Sequence, residues 1–249
     1  VDEPDQVPEG SRLIFSAHGV EPAVRYAAEK RNLRVVDATC PLVTKVHREA
    51  KKFAAKDYSI ILIGHEGHEE VIGTMGEAPE HMELISSRED IKNLEVENPG
   101  NVAYLTQTTL SVSDTREMIE ELKERFPALE GPSAEDICYA TQNRQEAVRA
   151  LAGKVEIILV VGAENSSNSQ RLVEEARRHD VPSWLIGDVD SIKPEWLEGV
   201  SAVGLTSGAS APERLVEEVI AWFADRGAKV EQLVTCEEKV RFSLPPELR

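Results

Sequence analysis

The sequence is short of positive charge. Its 249 residues carry 28 Lys and Arg against 45 Asp and Glu, a formal net charge of −17. Phosphate backbones are bound by clustered cations, so nucleic acid is not an expected partner. Non-specific docking on an anionic membrane is disfavoured for the same reason. Long hydrophobic runs are missing too; none approaches the roughly 20 residues that span a bilayer. The first ten residues, VDEPDQVPEG, are acidic and proline-rich, unlike a secretory signal. Cysteine is scarce and odd in number, at three. Without a secretory signal, that points to a reducing cytoplasm, with thiols used for metal or redox work or simply buried. Neither a Walker loop nor a GxGxxG fingerprint occurs. What remains is ordinary for a globular chain: 41% hydrophobic and 29% charged residues. The length suits two or three α/β units. A small anionic ligand stays open, because backbone N–H groups and helix N-termini bind phosphate without net positive charge.

One unit is written twice. Asp37-Ala-Thr-Cys40-Pro leads through a helical pattern to Ser59-Ile-Ile-Leu-Ile-Gly64, and Asp136-Ile-Cys138-Tyr-Ala leads through another to Glu156-Ile-Ile-Leu-Val-Val-Gly162. A gapless offset of 138 − 40 = 98 aligns both Cys and both Gly, and lays His68 over Ser166 and Glu70 over Asn168. Three further passages resemble one another: the apolar runs ending at His18, Thr108 and Ser210 each pass through small or hydroxyl residues into an amphipathic segment. Ser113 reads as a helix N-cap and Pro212 as a first helical residue. Helical spacing covers roughly 21–31, 43–55, 142–152 and 170–179, and Pro41 suits a helix start. Residues 95–100 and 127–133 read as surface turns.

Strands that alternate with helices predict an α/β fold with mostly parallel sheets, covered on both faces. The expected division is 1–40, 41–134 and 135–249. The second and third parts each have a Cys-headed half and a hydroxyl-loop half, whereas the first has only the latter. Internal symmetry, and an opening Val in place of Met, lead us to expect a further Cys-headed half upstream of Val1.

Ligands in such folds lie in loops at the carboxyl ends of strands. His18, His65, His68, Thr108, Ser166, Asn168 and Ser210 fall in these loops. Cys40 and Cys138 stand where a strand gives way to a helix, whose N-terminus favours the thiolate that metal ligation needs. A lone free Cys is more often a small buried hydrophobe, but two in equivalent places point to a site. His65-Glu-Gly-His68 is not the HExxH pattern; a zinc site of His65, His68 and Cys40 matches no standard finger. A structural hydrogen bond is the plainer reading of His65. Glu70, two residues past His68, could hold or pass a proton in an enclosed site. Ser166-Ser167-Asn168 ahead of a helix suits an oxyanion cradle, where plain capping needs only one of the three.

Longer motifs carry a resemblance. DATCPLVTKVH (37–47), GHEGHEEVIGTMG (64–76), TQTTLS (106–111), DICYATQNRQEAV (136–148), GAENSSNS (162–169) and TSGASAP (206–212) resemble the 4-hydroxy-3-methylbut-2-enyl diphosphate reductase family along the whole chain. The resemblance implies a pseudo-threefold trefoil of three α/β domains, the first incomplete, around a central 4Fe–4S cluster. It implies an oxidoreductase that ends the methylerythritol phosphate route to isoprenoids. Two electrons and two protons remove the substrate hydroxyl as water and leave isopentenyl and dimethylallyl diphosphates. Cys40 and Cys138 would be cluster ligands. Glu70 would donate the proton, with His68 in its relay and Thr108 placing the substrate hydroxyl. His18, His68, Ser166, Ser167, Asn168 and Ser210 would hold the diphosphate. The family's N-terminal GFCAGV-type segment, with another cluster cysteine, has no counterpart here, nor has its upstream His-Asn segment. Cys236 follows a strand-like run at 230–235, but the family uses no cysteine there, and we read it as structural or incidental.

With no flavin or nicotinamide motif, electrons come from outside. The resemblance implies ferredoxin or flavodoxin, both usually acidic, so docking calls for a local basic patch; Arg25, Lys30, Arg31 and the lysines of 45–52 are the candidates. The contrasting reading is a non-redox phosphate-binding module or a zinc hydrolase.

Overall fold

A proline opens the first two long helices, and short apolar runs form the strands between them. The computed structural model describes Val1 and residues 3–249. In chain order the elements are β1 (Arg12–Phe15), α1 (Pro22–Lys30), β2 (Arg34–Asp37), α2 (Pro41–Ala54), β3 (Ser59–Ile63), α3 (Glu69–Met75), β4 (Met82–Ile85), α4 (Arg88–Asn93), β5 (Val102–Thr106), α5 (Val112–Arg125), α6 (Tyr139–Ala152), β6 (Ile157–Val161), α7 (Ser167–Arg178), β7 (Ser183–Ile186), β8 (Val203–Ser207) and α8 (Glu213–Ala224). The strands form three sheets, ordered β1-β2, β4-β3-β5 and β7-β6-β8. Every strand pair among the described residues is parallel, as the alternation of strands and helices requires. The expected α/β fold with parallel sheets is therefore present. Among the described residues no helix is long and apolar enough to cross a membrane.

Packing divides the chain into two units. The first comprises residues 1–108, 113–137 and 240–249; the second comprises 109–112 and 138–239. Within the first, the central strand β3 is buried along its whole length, and Val46, Ala50 and Phe53 of α2 pack with Val71 of α3 on Ile60 and Leu62. Within the second, β6 is equally buried, with Val148 of α6 and Leu172 and Val173 of α7 on one face. Leu159 and Val161 face the other side, with Val219 of α8.

The 98-residue repeat holds at the level of single residues. The helices α2 and α6 are both 14 residues long and start 98 apart (139 − 41); β3 and β6 are both five residues long and start 98 apart (157 − 59). The next helices, α3 and α7, also start 98 apart (167 − 69).

Several boundaries differ from expectation. Ser113 lies inside α5, which begins at Val112. Pro212 is the N-cap of α8, with an extended ψ of 130°, and the helix starts one residue later. Among the described residues a helix packs on one face of the sheet β1-β2. Phe15, Leu13 and Val35 pack under α1, while Ile14 on the opposite face is 68% exposed. The strand-like run at 230–235 forms no strand; Val230 and Val234 are 55% and 70% exposed, and an apolar pattern with nothing to pack on does not order a strand. The turn at 127–133 does more than connect. Glu130 N–H donates to Val102 O and its carbonyl accepts from Tyr104 N–H, both at 2.9 Å, giving an isolated parallel bridge on β5.

Candidate active site

In the first unit, β3 ends at Gly64, where a Cβ would stand 2.6 Å from Val71 Cγ2, so only glycine lets α3 pack this close. Gly67 follows at φ +78°, a turn conformation that glycine adopts without strain. That turn makes His68 the N-cap of α3. Its Nδ1 accepts the Glu70 backbone N–H at 3.1 Å, which leaves Nε2 to carry the ring proton. Burial pushes the His68 pKa below the ordinary 6.5, so at neutral pH the ring is an uncharged donor.

Glu70, in the first turn of α3, is 1% exposed. Thr108 N–H donates to its Oε1 at 2.6 Å, and Thr108 Oγ1 lies 3.0 Å from Oε2. Burial nonetheless outweighs these two bonds and pushes the carboxyl up to about 7 from an ordinary 4.5. Such a carboxyl holds a proton near neutrality and can give it away. His18 sits close by, exposed, with Nδ1 3.0 Å from Glu69 Oε2 and its ring edge-on to His68 at 5.3 Å between centroids. His18, His68, Glu70 and Thr108 thus gather at the ends of β1, β3 and β5. His65 makes the structural bonds expected of it: its N–H donates to Gln107 Oε1 at 3.1 Å, and its Nδ1 is 3.2 Å from the same atom.

In the second unit, Ser166 is the N-cap of α7. The helix therefore begins earlier than the sequence suggests, with Ser167 and Asn168 inside its first turn. The Ser166 hydroxyl accepts from Ser169 N–H at 3.3 Å and from Ser169 Oγ at 2.9 Å. Ser169 is fully buried and packs against Gly162 and Gly208, where any Cβ would overlap its side chain. Asn168 is 6% exposed, yet its Oδ1 and Nδ2 have no hydrogen-bond partner. A buried amide left unpaired is costly, and such a group usually has a missing partner. Asn168 lies in the first turn of α7, where free helix N–H groups suit an anion. Ser210 is exposed in the loop after β8, where Ala211 N–H donates to Gly208 O at 3.1 Å.

The two aligned cysteines cap their helices alike, but only Cys40 follows a strand as expected: β2 ends at Asp37, whereas residues 131–138 ahead of α6 form none. Cys40 caps α2 at φ −55°, ψ 135°, and Cys138 caps α6 at φ −60°, ψ 134°, neither with a side-chain capping bond. Both are free and half-buried, whereas Cys236 is free and exposed. Soft thiol donors at helix N-termini fit ligands of an iron–sulfur centre. Among the described residues no three His, Cys, Asp or Glu side chains gather to hold a metal ion. His65, His68 and Cys40 form no such group; His65 is engaged by Gln107 and the His68 Nδ1 by Glu70 N–H.

Sequence reasoning missed Gln107, which braces the His65 turn, and Glu69, which accepts from Ser16 Oγ at 3.3 Å as well as pairing His18. It missed Ser169 too, although a hydroxyl three residues after a Ser N-cap was a usable signal. The expected basic patch is largely committed to internal ion pairs. Arg25 pairs with Asp37 at 2.5 Å, Lys45 with the buried Asp136 at 2.9 Å, Lys51 with Glu77 at 2.7 Å and Lys52 with Glu49 at 3.4 Å. Arg31 donates to Val7 O at 2.6 Å.

The profile of the LytB protein family matches residues 1–224. A 4-hydroxy-3-methylbut-2-enyl diphosphate reductase from Leifsonia xyli is 55% identical over 251 aligned positions, covering 100% of this chain and 74% of that protein. The enzyme of the same name from Streptomyces coelicolor is 53% identical, with the same coverage. Among solved structures, the E-1-hydroxy-2-methyl-but-2-enyl-4-diphosphate reductase from Plasmodium falciparum superposes with a TM-score of 0.94 at 36% identity, over 98% of this chain and 78% of that one. With a family match over most of its length and more than half its residues shared with these relatives, the chain belongs to the LytB protein family.

Proposed function

We propose that the chain is a 4-hydroxy-3-methylbut-2-enyl diphosphate reductase, an oxidoreductase of the last step of the methylerythritol phosphate pathway. The allylic C–O bond breaks as two electrons and two protons enter, and the oxygen leaves as water. The organic product is isopentenyl or dimethylallyl diphosphate. The observation that carries this reading is Glu70, a carboxyl buried deeply enough to keep its proton near pH 7 and bonded to the Thr108 hydroxyl.

Each side chain has a distinct task. Glu70 gives its proton to the departing oxygen, which Thr108 holds in line with it. His68, neutral and carrying its proton on Nε2, donates to an anionic oxygen without bringing a positive charge, and His18 stands beside it. The hydroxyls of Ser166 and Ser167, the unpaired amide of Asn168 and the Ser210 hydroxyl grip diphosphate oxygens with neutral donors. This explains how an acidic chain takes an acidic substrate without a lysine cluster. Cys40 and Cys138 are two thiolate ligands of a 4Fe–4S cluster, which when bound supplies electrons one at a time. Such a cluster takes more thiolates than these two; the exposed Cys236 is not assigned to it. The external donor is ferredoxin or flavodoxin, and the three free cysteines suit the cytoplasm.

Glu70→Gln tests the reading in anaerobically reconstituted protein with a small chemical reductant. Loss of a general acid lowers turnover about 10²–10⁴-fold, with substrate binding retained. In the parent protein, turnover declines as pH rises past the Glu70 pKa of about 7. Full turnover in Glu70→Gln would refute the assignment. Bound zinc, with neither iron nor acid-labile sulfide, would refute the reaction class.

A further inference from the structure

Gln145 is 1% exposed and lies on α6, seven residues after Cys138. Both ends of its amide are used. Oε1 accepts Val112 N–H at 3.0 Å, and Nε2 donates to Leu110 O at 2.9 Å. These backbone groups belong to the strap 109–112, which packs within the second unit. The other end of the strap meets the first residue of α7: Thr109 Oγ1 is 3.3 Å from Ser167 Oγ, and Ser167 Oγ is 3.4 Å from Thr109 O. The strap is therefore held by α6 at one end and touches a proposed diphosphate hydroxyl at the other.

The repeat supplies an independent observation. The offset 145 − 98 = 47 places His47 at the position of Gln145, seven residues after Cys40. His47 is also buried, at 4% exposure, and its Nδ1 is 2.9 Å from Glu77 Oε1. Its Cε1 would lie 3.1 Å from a Cβ placed on Gly19, in the loop after β1. The same helix position thus backs a loop that follows a strand in both copies: the His18–Gly19 turn after β1, and the 109–112 strap after β5.

We propose that Gln145 is a positioning residue for the anion grip: it fixes the 109–112 strap and, through Thr109, orients the Ser167 hydroxyl. This rests on the reading of Ser166, Ser167 and Asn168 as diphosphate-binding. The test is calorimetric titration of the reconstituted protein with pyrophosphate, for the parent, Gln145→Leu, Ser167→Ala and the double variant. Gln145→Leu and Ser167→Ala should each weaken binding roughly tenfold, as for one lost hydrogen bond. The double variant should be no weaker than Ser167→Ala, because both changes remove the same interaction. Parent-like binding by Gln145→Leu, or losses that simply add, would overturn the proposal while leaving the diphosphate reading intact. Parent-like binding by Ser167→Ala, or no binding by the parent, would overturn the diphosphate reading and this proposal with it. Circular dichroism checks folding. If Gln145→Leu fails to fold, Gln145→Glu takes its place in the same cycle. It keeps the acceptor for Val112 N–H and loses the donor to Leu110 O, which it regains on protonation. Its deficit relative to the parent should shrink as pH falls, and a deficit constant with pH would count against the proposal.

Discussion

Replacing Glu70 by Gln should make the protein more stable at alkaline pH while disabling it. Burial raises the Glu70 pKa from 4.5 to about 7. A carboxyl whose pKa is raised on folding binds more protons in the native state than in the unfolded one. Its stability cost is therefore absent below the unfolded pKa, grows as pH rises between the two values, and is complete above about 7. One pKa unit corresponds to about 1.4 kcal/mol, so holding the carboxyl at about 7 in place of 4.5 costs the native state roughly 3 kcal/mol at pH 8. Gln is uncharged and nearly isosteric. Its Oε1 can still accept Thr108 N–H, and its amide can donate to Thr108 Oγ1, so both bonds of the acid survive. The measurement is urea unfolding of the parent and Glu70→Gln at pH 5, 6, 7 and 8. The variant should gain about 2–3 kcal/mol over the parent at pH 8 and less than about 1 kcal/mol at pH 5. A stability difference that does not change with pH, or a variant less stable at pH 8, would refute a protonated, buried Glu70.

Two further outcomes follow from the local geometry. Nitrogen-15 spectra should show His68 at pH 7 as a neutral ring protonated on Nε2, titrating below 6.5 because it is buried; a proton on Nδ1 would contradict the cap. Gly162→Ala should cost about 1–3 kcal/mol in thermal or urea unfolding, since its Cβ would overlap the fully buried Ser169, and a neutral result would mean that the Ser169 packing is wrong.

The repeat was readable because its spacing is rigid. Equal distances from Cys to Gly on either side of a helix translate into helices and strands that start 98 residues apart. Helix starts were harder. Where Ser, Thr and Asn cluster, several residues can cap, and the choice depends on which hydroxyl finds an N–H; at α7 it was Ser166, bonded to Ser169. The pairing of Glu70 with Thr108 spans 38 residues, and only the family resemblance suggested it. The ion pairs of the basic patch were not legible either, because an acid such as Asp136 lies 91 residues from its partner Lys45. The exposed face of β1 was equally illegible, because alternation shows which residues share a face and not whether a helix covers it.

The two copies share a frame and differ in what it carries. In each, the strand ends at a glycine, the next helix is capped by a side chain, and the second helical residue is buried. In one copy the cap and that residue are His68 and Glu70; in the other they are Ser166 and Asn168. A helix N-terminus favours a carboxylate by about 0.3–1 kcal/mol, which by itself would keep Glu70 ionised. Burial worth roughly 3 kcal/mol outweighs it, so the position yields an acid and not an anion. At the equivalent place in the other copy an ionised carboxyl would repel a phosphate, whereas a neutral amide with open hydrogen-bonding capacity attracts one. On the proposed function, one repeated scaffold thus puts a proton source at its second helical residue in one copy and a neutral anion-binding amide in the other, while the caps of both, His68 and Ser166, face the anion.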